Sequence, residues 1–414
     1  MACQIDQGLS YEVEADAIDW DKETALPHDL PDQSIETTHP STYTSPKRNA
    51  NPKVVVLTGA TGQLGRALLD ELIAEPLIDH VHCIGVRKIR NRNNLVAFDK
   101  NKVTVHEGDL VLPDLGLSED VAAAVFGAVH AVIHNGADMS YLKTGRRSVP
   151  FHYVSTVSVG NIPAAALANS AVITAGTSDD DSAPVTPEAH DIERSGFVFR
   201  PVSVAKYPPP SVVSSSNIAR TAHGYVATKW ASEVFLEHLH ERYPDWPIVI
   251  HRPTLMVRQG PEAPWSGHSK EEVSDVELDL RENLRQYSSL LHAIPIAPAI
   301  ADKRMNVSGA FDIVSLSEVA REMVDTLRRG TMVAREERVI EGVRFFHHNG
   351  GMDLPLDDLR SLVARAEHHE DVGVMDLMRW ARKAGDLGMH STMIAIFERL
   401  AAAEGQLVFP RIAR

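Results

Sequence analysis

Val54-Val55-Val56-Leu57 is a short, continuous apolar run, and it leads into Thr58-Gly59-Ala60-Thr61-Gly62-Gln63-Leu64-Gly65. Such a run reads as a strand buried on both faces. The glycines fall at G-x-x-G-x-x-G spacing. A helical pattern follows through Leu64, Ala67, Leu68, Leu72 and Ile73, and Glu75-Pro76 ends it. Gly59 allows the tight turn, Gly62 lets backbone approach a pyrophosphate, and Gly65 lets the helix pack on the sheet. The helix start adds free N–H groups and the positive end of its dipole. A glycine triplet alone is weak evidence. Between a strand and a helix it specifies a dinucleotide-binding turn, with Thr58, Gly59, Thr61, Gly62, Gln63, Leu64 and Gly65 as cofactor contacts.

The pattern continues as alternating strands and helices. Strands are expected at Val81–Val86, Val103–His106, Val129–His134 and Phe151–Val154, with a helix at Val121–Phe126. A helix follows over Tyr225–Arg242 through Ala227, Trp230, Val234, Phe235 and Leu239, then a strand from Trp246 to His251 running into Arg252-Pro253. This predicts an α/β fold, a Rossmann-type doubly wound parallel sheet. Residues 160–220, rich in Ser, Pro, Ala and Thr, read as a surface excursion. Beyond about 260 helical segments dominate, with a strand near Phe311–Val314. The expected division is a leader at 1–50, a dinucleotide-binding domain at 51–255 and a smaller, mostly helical substrate domain at 256–414.

Composition narrows the function classes. The 414 residues exceed the size at which one core usually stops growing. Lys and Arg number 41 and Asp and Glu 56, giving a net charge of −15. No basic surplus is available to neutralise phosphates, so a nucleic-acid binder is not expected. The two cysteines are Cys3 and Cys83, and Cys83 lies in a buried strand pattern, which disfavours a disulfide. The leader is acidic (Glu12, Glu14, Asp16, Asp19) and lacks the plan of a signal peptide. No apolar stretch is long enough to span a bilayer. A soluble, cytoplasmic protein is expected. The leader, with apolar islands at Ile18 and Trp20, is expected to be extended or disordered chain packed only locally.

The end of the second strand bears on the choice between NAD and NADP. An acidic residue there bonds the ribose 2′-hydroxyl; this chain has Arg87, followed by Lys88, Arg90 and Arg92. A guanidinium pairs with a 2′-phosphate, so the reading is NADPH, the alternative being a solvated basic loop. Asp109 and Leu110 follow the third strand, where Asp109 is placed to reach the adenine edge. Asn135, Gly136 and Ala137 follow the fourth, where a small-residue turn can run beside the cofactor. Plain turn chemistry would also account for these residues.

Tyr225-Val-Ala-Thr-Lys229 is Y-x-x-x-K. On a helix, positions i and i+4 share a face, so a phenol and an ammonium sit together. The ammonium lowers the phenol's pKa and favours proton transfer at a substrate oxygen, and Lys229 can also hold the nicotinamide ribose. Thr156, after the strand ending at Val154, is placed to donate to a carbonyl, with Ser155 as the substitute. Glu367-His368-His369-Glu370 and His347-His348 look metal-like, but both read as solvated faces. No G-x-S-x-G elbow is present, which argues against a serine thioesterase.

Taken together these motifs resemble the extended short-chain dehydrogenase/reductase superfamily. "VVLTGATGQLGRALLDELIAEPLIDHVHCIGVRK", "VIHNGADMSYLKT", "FHYVSTVSV", "GYVATKWASEVFLE" and "IVIHRPT" look like the terminal thioester reductase (R) domain of fungal hybrid polyketide synthase–nonribosomal peptide synthetases. "IDWDKETALP" and "GQLVFPRIAR" resemble that domain's leading linker and its end. The resemblance implies a phosphopantetheinylated acyl carrier or thiolation domain as partner, NADPH as hydride source and a thioester carbonyl as acceptor. It implies that Thr156 and Tyr225 stabilise the oxyanion, that Tyr225 donates the proton, and that Lys229 tunes it. The product is an aldehyde, reduced further to the alcohol in some members.

One departure stands out. After "NGADMSYLKT" the chain passes straight to "GRRSVPFHYVST", roughly twenty residues short of the family's crossover helix. The lost helix is expected to leave apolar strand surface exposed. Three other readings stay open: a non-redox Dieckmann-type release cyclase, a small-molecule carbonyl reductase of the same superfamily, and a remnant impaired by the short crossover after Thr144. The Dieckmann-type members typically lack the tyrosine that this chain keeps.

Overall fold

Seven strands pair in parallel as one sheet in the order β3-β2-β1-β4-β5-β6-β7. They are β1 (Val54–Thr58), β2 (His80–Ile84), β3 (Val103–His106), β4 (Ala131–His134), β5 (Phe151–Val154), β6 (Ile248–Pro253) and β7 (Arg344–His348). This computed structural model describes residues 19–28, 30, 54–86, 101–136, 149–162, 198–207, 218–257, 287, 290–291, 293–296, 299–300, 303–304, 307–333, 342–350, 353–355, 373–389, 391, 394–395, 397–398, 407–409 and 411–413. Arg87, Ala137, the remaining crossover to residue 148, residues 163–197 and Glu367–Glu370 lie outside the described residues.

The apolar run of β1 is buried on both sides, as expected. Val55 and Leu57 meet one helical layer, α2 (Gln63–Ala74) and α5 (Leu316–Val333). Val56 meets the other, α3 (Glu119–Ala128) and α4 (Ile218–Arg242). Leu68, Leu69 and Leu72 of α2 are fully buried. Each such side chain contributes about 2 kcal/mol on leaving water. The end of α2 is closed by a cation: Lys102 Nζ donates to the carbonyls of Ile73 (2.6 Å) and Glu75 (2.8 Å).

Boundaries shift where a backbone device intervenes. The second strand stops at Ile84 because Gly85 takes φ +81°, and the fourth begins at Ala131. Beyond 255 the described residues include several short strands as well as α5 and α6 (Leu377–Asp386), where the periodicity pointed mainly to helices. Strands of two to five residues carry too few alternations to register as a period of two. One of them, β7, joins the main sheet beside β6. A smaller core gathers Tyr287, Leu377, Trp380, Ala381, Met389 and Phe397.

The leader is not merely extended chain. Asp19 Oδ1 accepts from Lys22 N at 3.1 Å and starts α1, Trp20–Thr24. Trp20 meets Trp230 of α4 edge-on at 5.6 Å, and His238 Nδ1 donates to Thr24 O at 2.9 Å. Asp19 as cap and Trp20 as anchor offset the ordering cost. Trp20→Ala is expected to lower stability by about 3 kcal/mol, read as a lower chemical-denaturation midpoint at unchanged slope.

The strand surface beside the short crossover is covered, contrary to the expectation of an exposed face. Val132, Phe151 and Tyr153 are each 1% exposed. Trp246 stacks obliquely on Phe151 at 5.9 Å and donates through Nε1 to Val149 O at 2.7 Å. Leu26 and Leu30, from the N-terminal segment, pack against the same cluster. β4 and β5 keep parallel pairing from Val132↔Phe151 to His134↔Tyr153.

Candidate active site

The strand order reverses direction between β1 and β4, and the crevice outside their C-terminal ends is where such sheets hold ligands. The glycine turn lies there. Gly59 has φ +68°, and a Cβ on it would lie 2.8 Å from Asn135 O. A Cβ on Gly65 would fall 2.0 Å from Gly59 O, so only glycine lets α2 pack this close. Gly62 differs: its Cβ would meet nothing nearer than Gly59 O at 3.4 Å. It is the N-cap of α2 with no side-chain cap bond, so the helix start faces open space with its first amides unclaimed by a side chain. Thr61 and Gln63 flank it, half-buried, and Leu64 is buried behind. This uncapped, side-chain-free cradle fits the phosphates of a dinucleotide.

Of the other expected cofactor residues, the described ones besides Lys229 lie at or just beyond the ends of β1, β3 and β4. Thr58 is 1% exposed, and its hydroxyl meets His134 Nδ1 at 3.0 Å and accepts from Gly136 N at 3.0 Å. Thr58 thus joins the ends of β1 and β4 from within. Asn135 Nδ2 donates to Gly59 O at 3.2 Å and holds the glycine turn. Leu110 lies between Gly85 and Gly136; a Cβ on either would come within 2.8 Å of it. Asp109 Oδ1 accepts from Val111 N at 3.1 Å, and Asp109 N donates to Leu115 O at 2.8 Å, so Asp109 shapes its own turn.

Tyr225 and Lys229 come together at the end of β5, which Thr156 follows two residues on. Lys229 Nζ donates to Val154 O at 2.7 Å and lies 4.8 Å from the Tyr153 ring centroid and 5.9 Å from that of Tyr225. Burial pulls the Lys229 ammonium down to about 8, against the Glu233 carboxylate, which raises it. Tyr225 is 58% exposed, open to a ligand. Thr156 caps a short 3-10 turn, accepting from Ser158 N at 3.2 Å and donating to Ser158 Oγ at 3.2 Å. Ser155 Oγ, beside it, is buried and has no hydrogen-bond partner among the described residues.

Three features escaped the sequence reading. His347 and His348 are not a solvated face: they end β7, and His348 is 2% exposed. His348 belongs to a chain across three strands, with His152 Nδ1 to His251 Nε2 at 2.9 Å, His251 Nδ1 to His348 Nε2 at 2.8 Å, and His348 Nδ1 to Glu322 Oε2 at 2.7 Å. Glu233 and Arg252 form a fully buried ion pair, for which the four-residue step from Lys229 to Glu233 was the only signal. Gly85 was also passed over, although a glycine ending a strand is a turn signal.

Known proteins resemble this chain in sequence and in fold. The profile of an NAD-binding family described as Male sterility protein matches residues 57–274. The chain is 32% identical over 421 residues to the polyketide synthase–nonribosomal peptide synthetase hybrid himA of Aspergillus japonicus, covering 96% of this chain and 9% of that protein. It is 32% identical over 418 residues to the polyketide synthase–nonribosomal peptide synthetase phmA of Phaeosphaeria nodorum, covering 96% and 8%. The chain thus spans only a small part of these relatives' length. The terminal R domain from the myxalamid PKS-NRPS pathway shares the fold at TM-score 0.55 and 18% identity, covering 95% of this chain and 89% of that one. The reductase (R) domain of a nonribosomal peptide synthetase from Mycobacterium tuberculosis does so at TM-score 0.51 and 17% identity, covering 95% and 86%. The resemblance to R domains of the extended short-chain dehydrogenase/reductase superfamily is therefore borne out, and the chain belongs to the NAD-binding family described as Male sterility protein.

Proposed function

We propose that this chain is an NADPH-dependent reductase that takes a polyketide or peptidyl thioester from a phosphopantetheinylated carrier domain and releases it as an aldehyde. The observation that carries this reading is the pairing of Tyr225 and Lys229 at the end of β5, on the sheet edge that also bears the Gly59–Gly65 cradle. The cofactor, when bound, supplies hydride. The α2 amides and the bare Gly62 backbone hold its phosphates, and Lys229 lies within the same edge to hold its ribose. Thr156 and Tyr225 receive the carbonyl oxygen by hydrogen bonds, and Tyr225 passes it a proton to give a thiohemiacetal; its C–S bond then breaks, the hydroxyl proton goes to the departing thiolate, and aldehyde and free carrier thiol result. Arg87, at the end of the second strand in sequence, supports a 2′-phosphate and hence NADPH over NADH.

The test is product formation. Purified protein given a carrier-bound acyl thioester and NADPH is expected to release aldehyde. Product without NADPH would instead mean a cyclase, and turnover of free carbonyl compounds without a carrier would mean a small-molecule reductase. Failure to bind either nicotinamide would mean an impaired remnant. In a direct titration NADPH is expected to bind more tightly than NADH, with Arg87→Ala removing most of the difference.

The cradle gives a paired prediction. Gly62→Ala has room to fold, so its melting temperature should stay near that of the unmodified chain while NADPH affinity falls about tenfold or more, because the methyl group occupies the phosphate approach. Gly65→Ala should lose both, because its Cβ has no space against Gly59 O. Equal affinity of Gly62→Ala and the unmodified chain would place the phosphates elsewhere.

A further inference from the structure

Tyr225, Lys229, Glu233 and Glu237 recur every four residues along α4, so they lie on one face of the helix, one turn apart. Glu233 is 0% exposed and held at both oxygens: Arg252 Nε donates to Oε1 at 3.0 Å and Nη2 to Oε2 at 2.6 Å. The guanidinium is fixed on its other sides too. Its Nη1 donates to Val202 O at 2.8 Å and points to His347 Nε2 at 3.5 Å. Its carbon lies 4.4 Å from the Phe345 ring centroid and 4.9 Å from that of Phe199. His347 in turn donates through Nδ1 to Ala413 O at 3.0 Å. Segments far apart in sequence thus converge to hold one carboxylate in place.

A buried ion pair is poor evidence of a stabilising role, because apolar replacements of similar shape often cost nothing. The place of this one points to a task. One turn along α4 is Lys229, itself 9% exposed, its amine bonded to a backbone carbonyl. An ammonium so desolvated tends towards the neutral amine unless a carboxylate opposes it. Among the described residues, the titratable groups around Lys229 are Tyr153 from β5, Tyr225 and Glu233 from its own helix, and Arg252 from β6 behind Glu233.

We propose that Glu233, fixed by Arg252, is a positioning residue for Lys229: its carboxylate keeps the buried ammonium charged and seated on Val154 O beside the Tyr153 and Tyr225 rings. The proposal deepens the reductase reading and rests on it for what Lys229 does, but the charge of Lys229 can be read without turnover.

The experiment is a pH titration of protein labelled with ¹³C at the lysine ε-carbon, followed by NMR, with the Lys229 signal identified by its absence from Lys229→Arg. Glu233→Gln alone strands Arg252 as an unpaired charge and can unfold the chain. The informative variant is therefore Glu233→Gln combined with Arg252→Met, which removes both charges and keeps an apolar side chain against the two phenylalanines. Near-ultraviolet circular dichroism reports that it is folded. Lys229 is expected to titrate lower by about one pH unit or more in the paired variant, and the alkaline limb of kcat to move down by the same amount. A folded paired variant whose Lys229 titrates as in the unmodified chain would overturn the proposal and leave the pair a structural tie. A shift of Lys229 in a chain that reduces no thioester would uphold the pair's role and sink the reductase reading.

Discussion

Between pH 7 and pH 5 the protein is expected to lose about 4 kcal/mol of folding stability, a drop in melting temperature of about 5–10 °C. The cause is a set of histidines buried in the neutral form. Burial holds His152 and His347 down to about 3 and His251 well below its ordinary value. The unfolded chain binds protons at these sites near pH 6.5, and the folded chain does not. Their contribution is therefore full above that value and is lost as pH falls through it. Each such imidazole costs about 2 kcal/mol by pH 5. His82, held at about 4 by burial beside His80 and His106, adds a smaller share because it is half-exposed. Glu237 works the other way: burial raises its carboxyl to about 7, so its preference for the proton stabilises the fold on acidification, by about 2 kcal/mol at pH 5. The histidines outweigh it.

The hydrogen-bond order explains why that chain resists a proton. The carboxylate of Glu322 accepts, so His348 Nδ1 carries hydrogen and its Nε2 accepts from His251 Nδ1. The Nε2 of His251 then accepts from His152 Nδ1. A proton added to either ring acceptor sets N–H against N–H between buried rings. Denaturant titrations at pH 7, 6 and 5 measure the loss, and His152→Gln should flatten the slope by about a quarter to a half. A stability that stays level across this range would show that the rings are hydrated or already charged.

What the sequence disclosed depended on how local the signal was. The strand–glycine turn–helix unit, the Y-x-x-x-K face and the parallel strands are short-range patterns, each readable within one or two elements. Lys229 and Tyr225 share a face because of helix geometry alone. Glu233 obeys the same spacing, but its meaning depends on Arg252, whose guanidinium meets it only after β6 pairs with β5. The histidine chain is invisible for the same reason: His152, His251 and His348 become neighbours only when three strands settle into register. The docking of Trp20 on Trp230 joins residues far apart in an acidic leader whose composition spoke against order. Thr58 was read as a cofactor contact because it sits in the turn motif, while its hydroxyl is engaged by His134 at the end of the neighbouring strand and by Gly136 just beyond it.

Replacing Tyr225 by Phe is expected to lower kcat by about 10²–10⁴ with NADPH affinity unchanged, whereas Tyr153→Phe should leave kcat within a few-fold. Both rings flank the Lys229 ammonium, so position beside the lysine does not decide between them. Exposure and ionisation do. Tyr153 is 1% exposed; its phenol is pushed above the ordinary tyrosine range by burial, opposed by a hydrogen bond with Ser232, and nothing can approach it. Tyr225, its ring 5.9 Å from the same ammonium, is 58% exposed. A phenol must reach a substrate oxygen to give it a proton, and only Tyr225 is open to one. Because Phe keeps the ring and loses only the hydroxyl, the loss should fall on kcat and not on cofactor binding. Single-turnover aldehyde release, with NADPH binding measured separately, distinguishes these outcomes. Full activity in Tyr225→Phe would remove the phenol from the chemistry and leave a release reaction that needs no proton donor at this position.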